Sequence, residues 1–402
     1  MENLIVRNKL LAATTFVSIL LFELSAFFID SGIAWMNQVK NVVYLYLLYL
    51  VAKEADGNCN PIPWNVRVFS YIVLGLVVVQ FIFGMATNVF TLLLQIVMLL
   101  LFVRYANIRF TKYYLNSVII ITLISSIPLV GYYFMYGYYA RDLIIFDKSY
   151  QTFLFGVSCV YLFYLLTKDN IKHKILLLIL LVYLFACNFF VLQSKTSIFA
   201  FLTIVVLWCL LHPSRLKKIC LSYGLYFVVV IAALPLLPVK MEMPNTIKQA
   251  VNMCVGREVY KINVILNEET YDVRRDVRKK MWKVLDESPL LGDGIGQMEQ
   301  TLKSTGYGLS QGESQLVDYA LEGGYTYVFA FCILIIPFLL RAANRTWRST
   351  SQNKNEFVFL SLVSFIILCS GNEMISIVTL MYIGILNYLL NLKMNIDISI
   401  LR

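Results

Sequence analysis

Between Met241 and Gln315 lies the long polar interval of an otherwise apolar chain, and it holds the residues best suited to chemistry. Within it, Tyr271 to Asp286 reads as a helix with Val273, Val277, Met281, Val284 and Leu285 on one arc, where Lys280 intrudes. Arg275, Arg278, Lys279 and Trp282 fall on the opposite arc, and Arg274 counts with them as a phosphate contact. Guanidinium groups bind phosphate oxygens through paired, charge-assisted hydrogen bonds, so Arg275 and Arg278 on one face suit a diphosphate. The same pattern also suits an amphipathic helix in a membrane interface, its cations turned to lipid headgroups. Pro289 ends the helix, and Gly292, Gly294 and Gly296 allow tight turns after it. A basic arc beside a glycine-rich turn is an arrangement that a phosphate-bearing ligand would want.

Proton transfer on this side of the chain needs a carboxylate, since the only histidines, His173 and His212, fall in loops of the opposite side. Glu313, Asp318 and Glu322 approach and enter the next apolar run, and Asp318 and Glu322, four apart, share a helix face. An acid in a bilayer costs about 2.5 to 3.5 kcal/mol at mid-span, less at the interface, and usually marks function. Such a group can take a proton from an acceptor hydroxyl. Ser310, three residues before Glu313, offers Glu313 a structural alternative as half of a capping box, and Asp318 and Glu322 stand as rival bases.

Three further features belong to the same side. Lys195, in Gln193-Ser-Lys-Thr-Ser197, sits in a short turn between apolar spans, where it meets an anionic lipid head or snorkels. Tyr138, Tyr139 and Arg141 close an aromatic stretch from Tyr132, suited to stacking on sugar rings or to an interfacial belt. Glu23, inside the first span, is another costly charge to which no role is assigned. No DxD pair, HExxH or P-loop pattern occurs, and no strand precedes Gly292-Asp-Gly294-Ile-Gly296. The chemistry is therefore expected to need no cofactor, neither metal nor nucleotide.

The elements that must position these residues are membrane spans. Hydrophobic residues make up 59% of the chain and charged ones 14%, with a mean hydropathy of +0.72. Soluble chains carry about 25% charge. Long apolar runs without strict alternation predict an all-α polytopic membrane protein and argue against a β-barrel. Twelve spans are expected: 10–29, 33–52, 67–85, 88–103, 115–135, 150–166, 175–193, 197–211, 219–239, 316–340, 356–372 and 375–391. The first is preceded by Arg7 and Lys9, is long for a signal-peptide core, and lacks a cleavage site, so it reads as uncleaved.

Loop charge orients these spans. Arg7, Lys9, Lys53, Arg67, Arg104, Arg109, Lys112, Lys168, Lys172, Lys174, Arg215, Lys217, Lys218, Arg341, Arg345, Arg348, Lys354, Lys393 and Arg402 fall on one side. Only Arg141, Lys148 and Lys195 fall in the short loops of the other. That bias predicts cytoplasmic termini and an external loop over 241–315, between spans nine and ten, within a single membrane domain covering 1–402. The net charge of +10 is thus topological, and no nucleic acid is expected as a partner. The eight cysteines form no CxxC or Cys/His cluster, which argues against a disulfide scaffold or a zinc site.

The chain resembles the bacterial O-antigen polymerase (Wzy-type) and O-antigen ligase superfamily over residues 193 to 324. Gln193-Ser-Lys-Thr-Ser197 looks like the family's Ser-Arg turn. Arg278 and Gly294, with fifteen residues between them, look like its loop motif, and Glu313 to Gly324 like the motif that closes the loop. Lys195 replaces the usual Arg and loses its bidentate fork. Glu313 stands where ligases typically have His, which argues against a ligase and leaves the base open.

The resemblance implies a GT-C-like, metal-independent glycosyltransferase in the bacterial inner membrane, with its large loop periplasmic. Its implied partners are an undecaprenyl-diphosphate-linked oligosaccharide, membrane lipid, a polysaccharide chain-length regulator and a flippase. Arg278, with Arg275, Arg274 or Lys195, would hold the donor diphosphate, and Glu313 or Asp318 would be the base. Tyr138, Tyr139, Arg141 and Trp282 would guide the glycan. A ligase and a non-enzymatic transporter or flippase are the alternatives; the missing symmetry between halves speaks against the transporter.

Overall fold

The computed structural model describes residues 2–24, 35–55, 59–87, 89–136, 148–168, 173–192, 194–213, 273–303, 314–348, 354–371 and 376–392. Every regular element among them is helical: α1 (Glu2–Glu23), α2 (Met36–Glu54), α3 (Trp64–Ile82), α4 (Val89–Tyr105), α5 (Ile108–Tyr136), α6 (Lys148–Leu166) and α7 (Lys174–Ala186). A π segment, Cys187–Leu192, prolongs α7; then follow α8 (Lys195–Leu211), α9 (Val273–Glu287), α10 (Met298–Lys303), α11 (Gln315–Trp347), α12 (Lys354–Gly371) and α13 (Ile377–Asn391). Helices thus occupy eleven of the expected span positions, while 219–239 lies outside the described residues. Among the described residues, four helical stretches are long and apolar enough to cross a membrane: Trp64–Ile82, Ile108–Gly131, Ser149–Leu166 and Gln315–Trp347. Over the described residues the fold is all-helical, in keeping with a polytopic membrane protein.

Several helices outrun their apolar cores. α5 begins seven residues before the expected 115, at Ile108, and α11 runs past 340 to Trp347. Hydropathy sees only the apolar part; Arg109, Thr111, Lys112, Arg341 and Arg345 are helix-compatible residues that extend the same backbone into a polar layer.

The bundle is inside-out in its apolar exposure. Phe81, Ile82, Phe90, Ile127, Ile175, Leu210 and Leu340 all lie on its outer surface, where hydrocarbon rather than water would meet them. α13 is buried almost all round, apolar on every face, and is the central helix. Close packing relies on small residues: a Cβ on Gly384 would meet the backbone of Phe102 at 3.0 Å, and one on Gly156 would strike Leu368 at 2.8 Å.

α3 and α11 run antiparallel, and their pairing joins the two poles. At one pole Asn65 donates to the Leu334 carbonyl (2.7 Å) and accepts from Arg341 (2.9 Å). Nearby, Glu54, almost fully buried, pairs with both Arg7 (2.6 Å) and Arg109. Arg345 and Lys354 donate to the carbonyls of Leu390 and Leu392 at the C-terminal end of α13, where the helix dipole favours cations. These cations are members of the set that the loop bias assigns to one side. At the other pole, α3 and α11 hold the candidate site.

Candidate functional site

The site begins with the docking of α9. Its apolar arc forms as its periodicity requires: Val277, Val284 and Leu285 are buried and Met281 half-buried. Val277 and Val284 form a small cluster with Met298 and Leu302 of α10 and Leu321 of α11, against which Met281 and Val317 pack. The opposite arc stays out: Arg278 and Lys279 are exposed, and Trp282 is 56% exposed. Ion pairs along this face, Lys279–Asp276 (3.5 Å) and Lys283–Glu287 (3.7 Å), are solvent-facing and hold little energy. Arg274 and Arg275 occupy the first turn of α9, where the helix dipole penalises cations by about 0.3–1 kcal/mol.

α11 is two helices joined at a kink. Gly324 has φ +58° and ψ −155°, which splits a nine-residue entrance piece from the spanning piece beyond. The entrance starts at Ser314, whose side chain makes no cap bond, and holds Asp318 at 4% exposure in its first turn. The kink lets the chain from α9 approach closely: Tyr325 donates its backbone N–H to Pro289 O at 2.8 Å, and a Cβ on Gly324 would lie 2.3 Å from that same oxygen.

The glycine turn is held against this kink by its own amides. Asp293 N–H donates to Leu321 O (2.8 Å) and Gly294 N–H to Glu322 O (3.1 Å). Ile295 N–H donates to the side-chain oxygen of Gln80 (3.0 Å), and Gly296 N–H to the Glu322 carboxylate (3.0 Å). The Gln80 amide nitrogen donates in turn to Leu291 O (2.6 Å) and Glu322 O (2.8 Å). Thr87 N–H meets Ile295 O (2.9 Å), and Gly294, φ +111°, passes so near Met85 O that a Cβ would sit 2.2 Å away. Four successive amides, 293 to 296, are spent on α11 and α3, so the turn is a docking element.

The same geometry separates the rival acids. Glu322 is tied through its carboxylate to Gly296, whereas Asp318 lies beside Val317 and Leu321, the residues that receive the basic helix. Arg278 directly follows Val277 in sequence but lies on the exposed arc, so the docking brings the helix that carries it, not its side chain, against the α11 entrance. Lys195 is the first residue of α8, after Ser194, whose hydroxyl accepts from Ser197 N–H. Behind it lies a buried polar group: Asn188, in the π segment, donates to Ser197 Oγ (2.8 Å), and Thr152 to Ser194 Oγ (3.1 Å). Glu23 is fully buried at the end of α1.

Glu313, Tyr138, Tyr139 and Arg141 lie outside the described residues, as does all of the loop before Val273. Gln80 and the Pro289–Tyr325 tie are contributions that no motif announces. The available signal for Gln80 was an amide inside the apolar run Val77-Val-Val-Gln-Phe-Ile-Phe83.

Residues 176–332 match a protein-family model described as O-antigen ligase. The matched interval contains the Ser194–Lys195 turn, α9, the glycine turn, and α11 through its kink. It supports a place in the O-antigen ligase/polymerase superfamily, and with it a role in surface polysaccharide biosynthesis of a glycosyltransferase kind. No curated protein matches the chain.

Proposed function

We propose that the protein is a polysaccharide polymerase that transfers a growing glycan from undecaprenyl diphosphate to a lipid-linked repeat unit. The reaction takes place at the outer face of the bacterial inner membrane, with both termini cytoplasmic. The observation that carries this reading is the docking of α9, which carries the exposed Arg278, on the entrance of α11, which carries the buried Asp318, inside the matched interval.

Arg278, with Arg275, Arg274 or Lys195, holds the donor diphosphate and stabilises the charge it gains on leaving. The penalty for arginines in the first turn of α9 is offset once a polyanion lies across them. An acceptor sugar hydroxyl attacks the anomeric carbon, and the bond from that carbon to the phosphate oxygen breaks. Asp318 takes the hydroxyl proton, with Glu313 its rival for that task. Trp282 offers an aromatic face to the glycan, and Tyr138, Tyr139 and Arg141 extend that guidance. No metal enters this scheme.

Purified protein incubated with a lipid-diphosphate-linked repeat unit, without metal or nucleotide, should yield a ladder of lengthened glycans on a gel. An unchanged substrate would refute the reading. The description of the matched family favours a second possibility, a ligase that moves glycan to a different lipid acceptor. A deletion strain separates them: loss of a polymerase leaves single capped repeats, and loss of a ligase leaves uncapped acceptor.

A further inference from the structure

We infer that Gln80 is the positioning residue of this enzyme, the side chain that seats the glycine turn and thereby fixes α9 against the entrance of α11. The inference rests on the proposed transfer reaction and adds to it a residue outside both the matched interval and the polar loop.

Gln80 is completely buried near the end of α3, between the turn that follows α9 and the entrance of α11. Its amide nitrogen has two hydrogens, and the two go to Leu291 O (2.6 Å) and Glu322 O (2.8 Å), one on each side. Its oxygen accepts from Ile295 N–H (3.0 Å). Neutral, with two donors and one acceptor at that reach, only glutamine meets all three demands. Leucine or methionine of similar size orphans the Leu291 carbonyl and the Ile295 amide, and leaves Glu322 O with Gly294 N–H as its remaining donor of the two. Glutamate, when ionised, sets a carboxylate against two carbonyl oxygens.

The three contacts bridge the pieces of the site. Leu291 and Ile295 belong to the segment that follows α9, and Glu322 belongs to the α11 entrance that carries Asp318. Gln80 therefore links the helix bearing Arg278 to the helix bearing Asp318, from a third helix that contributes nothing else to the chemistry. A misplacement of about 1 Å between such groups costs up to about a hundredfold in rate. The side chain sets that spacing without touching substrate.

The test compares wild type, Gln80→Leu and Gln80→Asn, each purified as full-length protein in lipid nanodiscs. Turnover is followed with lipid-diphosphate-linked oligosaccharide extracted from the source cells, and amide hydrogen exchange over residues 289–297 is measured on the same samples. Gln80→Leu should lower kcat at least about tenfold with KM within about twofold, because it disturbs alignment and not substrate contact. The 289–297 peptide should lose protection while peptides from α12 and α13 keep theirs. Gln80→Asn keeps a buried amide but falls a methylene short, so it should show the same loss of protection even if Gln80→Leu fails to accumulate.

Rescue completes the test. In a Gln80→Leu, Cys59→Ser background, Thr87→Cys and Ile295→Cys place thiols on residues already joined by a backbone bond of 2.9 Å. Oxidation should restore most of the lost turnover, and reduction should remove it again. Wild-type turnover and protection in Gln80→Leu or Gln80→Asn overturns the inference, and so does an oxidised clamp that leaves turnover low. If wild type itself makes no product, the transfer reading falls, while loss of protection in the variants still upholds the seating by Gln80.

Discussion

Tyr325 donates its backbone N–H to the carbonyl oxygen of Pro289 at 2.8 Å, tying the first residue beyond the α11 kink to the turn that ends α9. The tie makes the basic helix an appendage of a spanning helix. Its strength depends on a backbone conformation that glycine alone adopts cheaply.

Gly324→Ala tests that dependence. A backbone at φ +58° and ψ −155° is essentially glycine-only and costs alanine about 1–3 kcal/mol. Its Cβ would also lie 2.3 Å from Pro289 O, forcing the turn away. We expect a melting temperature in detergent several degrees lower, and a fall in glycan transfer larger than the fall in stability explains. Gly131→Ala is the control: nothing lies within 4 Å of the added Cβ, so melting and transfer should hold. Equal melting of the two variants and wild type would remove the kink from the account.

Arg278 is exposed, so its removal should not unfold anything. A charge-assisted hydrogen bond contributes about 1.5–3 kcal/mol, which predicts a loss of roughly tenfold to a hundredfold in transfer for Arg278→Ala. Arg278→Lys should recover part of it, keeping charge without the fork. Normal polymer ladders from Arg278→Ala would refute the phosphate assignment.

The acids should separate by role. Asp318→Asn is expected to abolish transfer at normal protein abundance, and Glu313→Gln to do so instead if that residue is the base. Glu322→Gln should retain activity within about threefold, because an amide oxygen still accepts from Gly296 N–H. Glu322→Ala orphans that amide and should lose protection over 289–297. Full transfer from both Asp318→Asn and Glu313→Gln would leave the scheme without its base.

At the opposite pole the expected effect is on stability alone. Glu54 is 4% exposed and pairs with Arg7 and Arg109, which are themselves part-exposed. Glu54→Ala leaves two neighbouring, part-exposed guanidiniums without their shared acid, at a cost of about 1.5–3 kcal/mol. Thermal unfolding in detergent should show the drop, while turnover per folded molecule stays near wild type. A loss of turnover without destabilisation would mean that this pole takes part in the reaction.

What the sequence by itself determined is everything that depends on near neighbours. Apolar runs set the helices, because a backbone in hydrocarbon must satisfy its own hydrogen bonds. The period of Val277, Met281 and Val284 divided α9 into a buried face and an exposed basic one, as the structure has it. Pro289 and the glycines correctly marked the end of that helix.

Only the tertiary structure decided what the turn is for. The amides of Gly292-Asp-Gly294-Ile-Gly296 look alike in sequence whether they await a phosphate or are already spent. Their acceptors, Gln80 and the carbonyls of Leu321 and Glu322, come from other helices; Gln80 stands 215 residues from Ile295 and 242 from Glu322. Hydrophobic periodicity is a local property and shows in a short window. A hydrogen bond has no counterpart in the sequence until the chain has folded and brought its donor and acceptor within 3 Å.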